Sequence, residues 1–201
     1  MNWSAQHVFC RLGRALVRPL YKSRWNKIVE SSLRWWLEVL SLQIRQPRPW
    51  MMPSTRPVQM LCDAQSSPPR LAAVVYTHDG QSFYTDMAPP SELPALFQDR
   101  KDGQICGLEL CAIALGLCTF AEHYDGRRLH VFSDNAGSEH ATQRGSAKVW
   151  DHNCIVHSIW YKAATQRCHM VVDRVPTKDN IADLPSREQY ELSHAMGTTF
   201  V

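Results

Sequence analysis

The longest apolar stretch of this chain, Ile105 to Ala121, contains a single charged residue, Glu109. The surrounding residues predict one helix from Gln104 to His123, stopped by the turn pair Asp125-Gly126. A helix that is apolar nearly all round must be buried, so other elements have to cover it. It is shorter than a membrane span and carries an acid in its middle, which argues against a transmembrane segment. A buried carboxylate is costly unless it is paired or holds a metal. Positions 105, 106, 112 and 113 are Ile, Cys, Ala and Ile, so no cation lies one turn away. The partner of Glu109 is therefore a distant cation or a bound ion, unless Glu109 lies on a narrow exposed seam.

The elements around this helix alternate. Val58–Cys62, Leu71–Tyr76 and Gln81–Thr85 read as strands, the last two joined by the turn at Asp79-Gly80. After the long helix come a strand at Leu129–Phe132, helices at Ala136–Gln143 and Lys148–Gln166, and a strand at His169–Val175. Pro176 ends that strand, and a short helix starts near Ile181. The order β-β-β-α-β-α-α-β-α predicts an α/β fold with a five-stranded mixed sheet flanked by helices.

An N-terminal arm precedes this body. Pro47, Pro49, Pro53 and Pro57 mark a linker, which places the domains at 1–57, 58–190 and a tail at 191–201. The arm reads as helical. One apolar stripe runs through Val8, Leu12, Ala15 and Leu16, and a second through Ile28, Leu33, Trp36, Leu37 and Leu40, with no local partner for either. Residues 1–60 hold ten Lys/Arg against two acids, a balance of +8. The remainder of a chain with formal net charge +3 is therefore −5. A basic arm on an acidic body suits membrane contact, nucleic-acid contact or docking on another domain, and the acidic body suits a metal site. Seven cysteines without a C-x-x-C pair fit reduced thiols better than a disulfide framework or a zinc ribbon. The expected location is intracellular, nuclear or cytoplasmic, without secretion.

Four carboxylates stand out. Asp63 and Asp134 each follow directly on an apolar strand, where α/β proteins gather their sites. If those strands are neighbours, the two acids converge. Each could equally begin a turn or cap a helix. Asp183 opens the last short helix, where an acid is also favoured by the helix dipole. Carboxylates without His or Cys ligands suit Mg²⁺ or Mn²⁺ rather than Zn²⁺. Two such ions form the clamp used for phosphodiester cleavage, one activating water and one stabilising the leaving oxygen.

The combination of strand-Asp63, helix-Glu109, strand-Asp134-Asn135 and Asn180-x-x-Asp183-x-x-Ser186-Arg187 resembles the ribonuclease H domain of retroelement reverse transcriptases over about residues 58–190. Arg18-Pro-Leu-Tyr21 and Leu33-Arg-Trp-Trp-Leu37 resemble the connection segment that precedes it, with retrotransposons of the tyrosine-recombinase type the nearest likeness. The resemblance implies a two-metal-ion endonuclease that hydrolyses the RNA strand of RNA/DNA hybrids. Asp63, Glu109, Asp134 and Asp183 would be its catalytic and metal-binding residues, with two Mg²⁺ ions for which Mn²⁺ can substitute. It implies a reverse transcriptase polymerase module as a possible partner, and no membrane. Substrate contacts would come from Gln65, Ser66, Asn135, Ser138, Arg144, Lys148, Asn180 and Arg187. The loop Pro176–Asp179 lacks the histidine that many members carry before the last Asp, which implies slower turnover. The rival readings are a catalytically inactive remnant that binds nucleic acid, and another two-metal enzyme of the same superfamily.

Overall fold

The computed structural model describes residues 11–21, 24–42, 56–95, 97 and 104–201. In chain order its helices are α1 (Arg14–Val17), α2 (Lys27–Leu42), α3 (Glu92–Ala95), α4 (Ile105–Thr119), α5 (Ala121–Tyr124), α6 (Ala136–Arg144), α7 (Trp150–Thr165), α8 (Asp183–Ser186) and α9 (Glu191–Ala195). The strands are β1 (Val58–Ser66), β2 (Pro69–Tyr76), β3 (Ser82–Met87), β4 (Arg128–Ser133), β5 (His169–Arg174) and β6 (Thr199–Phe200).

The strands form one mixed sheet in the order β5-β4-β1-β2-β3-β6. β1, β2 and β3 pair antiparallel, while β4 pairs parallel with both β1 and β5. The register Cys62↔Ser133 sets the positions of Asp63 and Asp134 next to each other at one end of the sheet. Strand alternation explains the two layers. Val58, Met60, Cys62 and Ala64 belong to the main core with Leu110, Ile113 and Leu117 of α4 and Val156, Ile159 and Trp160 of α7. Leu61, Val74 and Tyr84 face the other way and pack on Ala182, Ile181 and Tyr190 of the C-terminal segment.

α4 is buried as its composition requires. Gly116 lets it approach the sheet, because a Cβ there would lie 2.6 Å from Met60 Sδ and 2.9 Å from Ala73 Cβ. The helix is shorter than the sequence predicts, since the backbone turns at Phe120 before α5 begins.

Three expectations change. β1 continues through Asp63 to Ser66 and forms a hairpin with β2, so Asp63 lies inside the strand rather than beyond it. The sheet has six strands rather than five. The predicted tail contributes α9 and then β6, which pairs parallel with β3 through Phe83↔Thr199 and Tyr84↔Phe200. The arm also has a local partner: Leu12 and Val39 pack with Trp35 on Ala164 and Tyr161 of α7. The buried face of α2 is Val29, Ser32, Trp36 and Val39, whereas Leu33, Leu37 and Leu40 of the predicted stripe are exposed. Two indole contacts set that rotation. Trp35 lies edge-on to His157 at 4.2 Å, and a Cβ at Gly13, whose φ is +72°, would meet the Trp36 ring at 2.5 Å. Val8 and most of the proline-rich linker, residues 46–55, lie outside the described residues.

Candidate metal centre and nucleic-acid cleft

Asp63, Glu109 and Asp134 present carboxylate oxygens within 4.8 Å of one another. They come from β1, α4 and the residue after β4, so three separate elements converge on one sheet end. Asp63 and Glu109 are buried, and Asp134 is half-buried. They lie in a cleft of about 490 Å³ whose walls include Gln65, Ser66, Ile105, Asn135, Thr177 and Arg187.

Each buried carboxylate is held in place. The Ser186 hydroxyl donates to Asp63 Oδ2 at 2.5 Å. Asn180 Nδ2 donates to the Cys62 carbonyl at 3.1 Å and to Asp63 Oδ1 at 3.4 Å. The segment carrying both donors is anchored to the sheet through Arg70, which bonds Asp86 and Glu188. Pairing between β1 and β4 stops at Cys62↔Ser133, and the Ala64 amide just beyond it donates to Glu109. The Ser133 hydroxyl lies 3.3 Å from Glu109 Oε2. No cation pairs with the Glu109 carboxylate among the described residues.

Burial raises the pKa of Glu109 to about 9, with the Asp63 and Asp134 charges adding to it. Burial likewise raises Asp63 to about 6; the Ser186 hydrogen bond opposes this, and Asp134 and Asp183 reinforce it. Without a cation Glu109 retains its proton at neutral pH. An all-oxygen set of converging carboxylates fits a hard divalent ion, whose binding releases that proton.

The remaining expected site residues divide. Asp183 lines the same cleft but stands outside the three-carboxylate group. Its Oδ1 accepts from Arg187 Nε at 2.9 Å and Nη2 at 2.7 Å. Gln65, Ser66, Asn135 and Arg187 line the cleft. Gln65 also donates to the Ser67 and Pro68 carbonyls, and Asn135 Oδ1 caps α6 by accepting from the Gly137 and Ser138 amides. Ser138 and Asn180 are buried, so their place is behind the carboxylates rather than against a substrate. The Ser138 hydroxyl lies 2.8 Å from that of Ser133 and donates to the Asn135 carbonyl. Arg144 and Lys148 are exposed around the C-terminal end of α6 and do not line the cleft.

Sequence reasoning missed Ser133 as a supporting group and quoted Ser186 only as part of the Asn180–Arg187 motif, without a role. Their local signal is a small hydroxyl residue directly before Asp134 and three positions after Asp183. Ser186→Ala removes the shorter of the two side-chain bonds to Asp63 and leaves a buried acceptor short of a donor. We expect a loss of about 1–3 kcal/mol in chemical denaturation. An unchanged midpoint would mean that Asp63 is held without it.

No protein-family model matches the chain, and no curated protein matches it. Solved structures with a similar fold include ribonuclease H1 of Halobacterium salinarum, 13% identical, spanning 63% of this chain and 91% of that one with a TM-score of 0.46. The N-terminal RNase H domain of Rv2228c from Mycobacterium tuberculosis is 16% identical over 70% of this chain and 98% of that one, TM-score 0.48. A foamy viral protease-reverse transcriptase in complex with an RNA/DNA hybrid is 9% identical over 73% of this chain and 21% of that one, TM-score 0.40. The fold of this chain is α/β, a six-stranded mixed sheet in the order β5-β4-β1-β2-β3-β6 flanked by helices.

Proposed function

We propose that this chain is a ribonuclease H-type endonuclease that hydrolyses the RNA strand of RNA/DNA hybrids. The observation that carries this reading is the convergence of Asp63, Glu109 and Asp134 within 4.8 Å on an open polar cleft. These three residues would hold Mg²⁺, or Mn²⁺ in its place, and Asp183 would complete the set on releasing Arg187. Two bound divalent cations would supply Lewis acidity for attack of water on a phosphodiester, leaving a 3′-hydroxyl. The chain's own part is positioning. Ser186 and Asn180 fix Asp63, while Ser133 and the Ala64 amide fix Glu109. Gln65, Ser66 and Asn135 lie where the backbone or 2′-hydroxyl of an RNA strand would pass, and Arg187 can meet a phosphate.

The same reading assigns the chain to a retroelement reverse transcriptase, with a polymerase module as partner. The Asn180–Arg187 motif and the arm segments around Tyr21 and Trp35 support it. The Asp183–Arg187 pair favours a second reading, a ribonuclease H-like domain that binds nucleic acid without cutting it.

The test is incubation with an end-labelled RNA/DNA hybrid in Mg²⁺ or Mn²⁺. Cutting confined to the RNA strand and ending in 3′-hydroxyls is the expected result. Hybrid binding by folded protein, with no cutting in either metal, would replace the nuclease with the binding module.

A further inference from the structure

The arm places unpaired cations and bare aromatic rings together on the surface. Arg14, Arg18, Arg24 and Lys27 are exposed, and their side chains form no hydrogen bond or ion pair among the described residues. Between them, Tyr21 is 83% exposed and Trp25 is 69% exposed. Rings this bare usually pack when an apolar surface is within reach, and here neither contacts another ring among the described residues. The segment is nonetheless docked. Ala15, Leu16, Val17 and Pro19 are buried, so the exposed residues are presented from a fixed base.

The base of the arm adjoins the helix that leads back to the carboxylate cleft. A Cβ at Gly145 would lie 2.6 Å from Arg11 Cβ, so the arm abuts the C-terminal end of α6. The exposed cations Arg144 and Lys148 flank that contact. Asp134 lies two residues before the start of the same helix, whose nine residues span about 14 Å at helical rise. A strand emerging from the cleft along α6 would therefore reach the arm.

The exposed Leu33, Leu37 and Leu40 lie on α2 beside the Arg34–Glu30 pair, and at helical pitch Lys27, the first residue of that helix, is turned at least about 80° away from all three. The apolar face and the net positive surface are therefore separate. An anionic membrane would need both on one face of the helix. Interleaved cations and aromatic rings without an adjoining apolar stripe suit phosphates and stacked bases.

We infer that the arm is a single-stranded nucleic-acid site: Arg14, Arg18, Arg24 and Lys27 take the phosphates, and Tyr21 and Trp25 stack unpaired bases. It goes beyond the nuclease assignment, since it rests on the arm's charge and exposure and needs no cleavage. Its occupant would be the unpaired stretch that borders a duplex seated at the cleft.

The test is fluorescence anisotropy of the full chain with a labelled single-stranded RNA or DNA of about 12 nucleotides, in chelator, across a salt titration. Arg14→Gln/Arg18→Gln should reduce the magnitude of the slope of log K against log[salt] by about 1.4, because each phosphate contact on a single strand contributes about 0.7. Tyr21→Ala/Trp25→Ala should weaken binding by roughly tenfold or more without changing that slope. All four positions are exposed, so unchanged circular dichroism is expected for both variants. Wild-type affinity and slope in both would overturn the inference. So would loss of anionic-vesicle binding in these variants with oligonucleotide binding intact, which would make the arm a lipid-surface site. The chelator suppresses any divalent-dependent cutting and the substitutions spare the carboxylates, so this result and that of the hybrid-cleavage assay are read separately.

Discussion

If the chain cuts as proposed, Asp134→Asn should reduce RNA-strand cleavage on the order of a thousandfold or more, while the metal-free protein should unfold at the same temperature or slightly higher. The loss follows from removing one of three anionic oxygen ligands at the point where charge develops in the reaction. The retained fold follows from the surroundings. Asp134 is half-buried, its side chain forms no hydrogen bond among the described residues, and its charge pushes up the pKa of both Glu109 and Asp63. A neutral amide of the same shape therefore relieves repulsion and breaks nothing. Asp183→Asn is the informative comparison. Asp183 is paired with Arg187 and would reach the cluster only by releasing it, so its value as a ligand is discounted by that pair and its loss should cost closer to tenfold. Equal losses at 134 and 183 would mean that releasing Arg187 costs almost nothing, and wild-type cutting by Asp183→Asn would leave Asp183 outside the set. Wild-type cutting by Asp134→Asn would remove this cleft as the site of the reaction.

The metal-free protein should lose stability as pH rises from about 5 to 9, and divalent ions should restore it. The pKa of Asp63 rises from 3.8 to about 6 and that of Glu109 from 4.5 to about 9. Both are acids whose folded value lies above the unfolded one. The folded chain therefore holds more protons than the unfolded chain across this window. Stability falls with rising pH wherever the native state binds more protons. The contribution is fully present below the unfolded values and is lost as pH climbs through the folded ones, with Glu109 dominating at the alkaline end. One retained proton corresponds to about 1.4 kcal/mol per pH unit, so the melting temperature should drop by roughly 10–20 °C across the window. Saturating Mg²⁺ or Mn²⁺ should raise it more at pH 9 than at pH 6, since binding at the higher pH displaces fewer protons. Glu109→Gln should flatten the pH slope and abolish most of the metal response. A melting temperature insensitive to pH and metal in the wild-type protein would show that these carboxylates do not form a divalent site.

Much of this architecture is visible in local patterns. An apolar helix with one acid points to a buried helix with a special acid, and Glu109 proves buried with no cation paired to it among the described residues. Apolar runs ending in Asp63 and Asp134 mark strand ends, and parallel pairing of β1 with β4 brings the acids together as the strand-neighbour argument requires. These features depend on periodicity and on the chemistry of short segments, which a linear chain displays directly.

The sequence by itself determined the layered α/β class, the carboxylates and the basic arm. Tertiary structure alone decided how they are used. It extended β1 past Asp63, added β6 to the far edge of the sheet, and turned Leu33, Leu37 and Leu40 outward because Trp35 and Trp36 meet α7 and Gly13. It also set Ser186 and Asn180 against an aspartate more than a hundred positions earlier, and closed Arg187 onto Asp183. Helix and strand tendencies arise between near neighbours and repeat along the chain. Strand register, the rotation of a helix about its axis and the hydroxyl that reaches a buried carboxylate are settled by packing between distant segments, where many sequences satisfy the same local pattern.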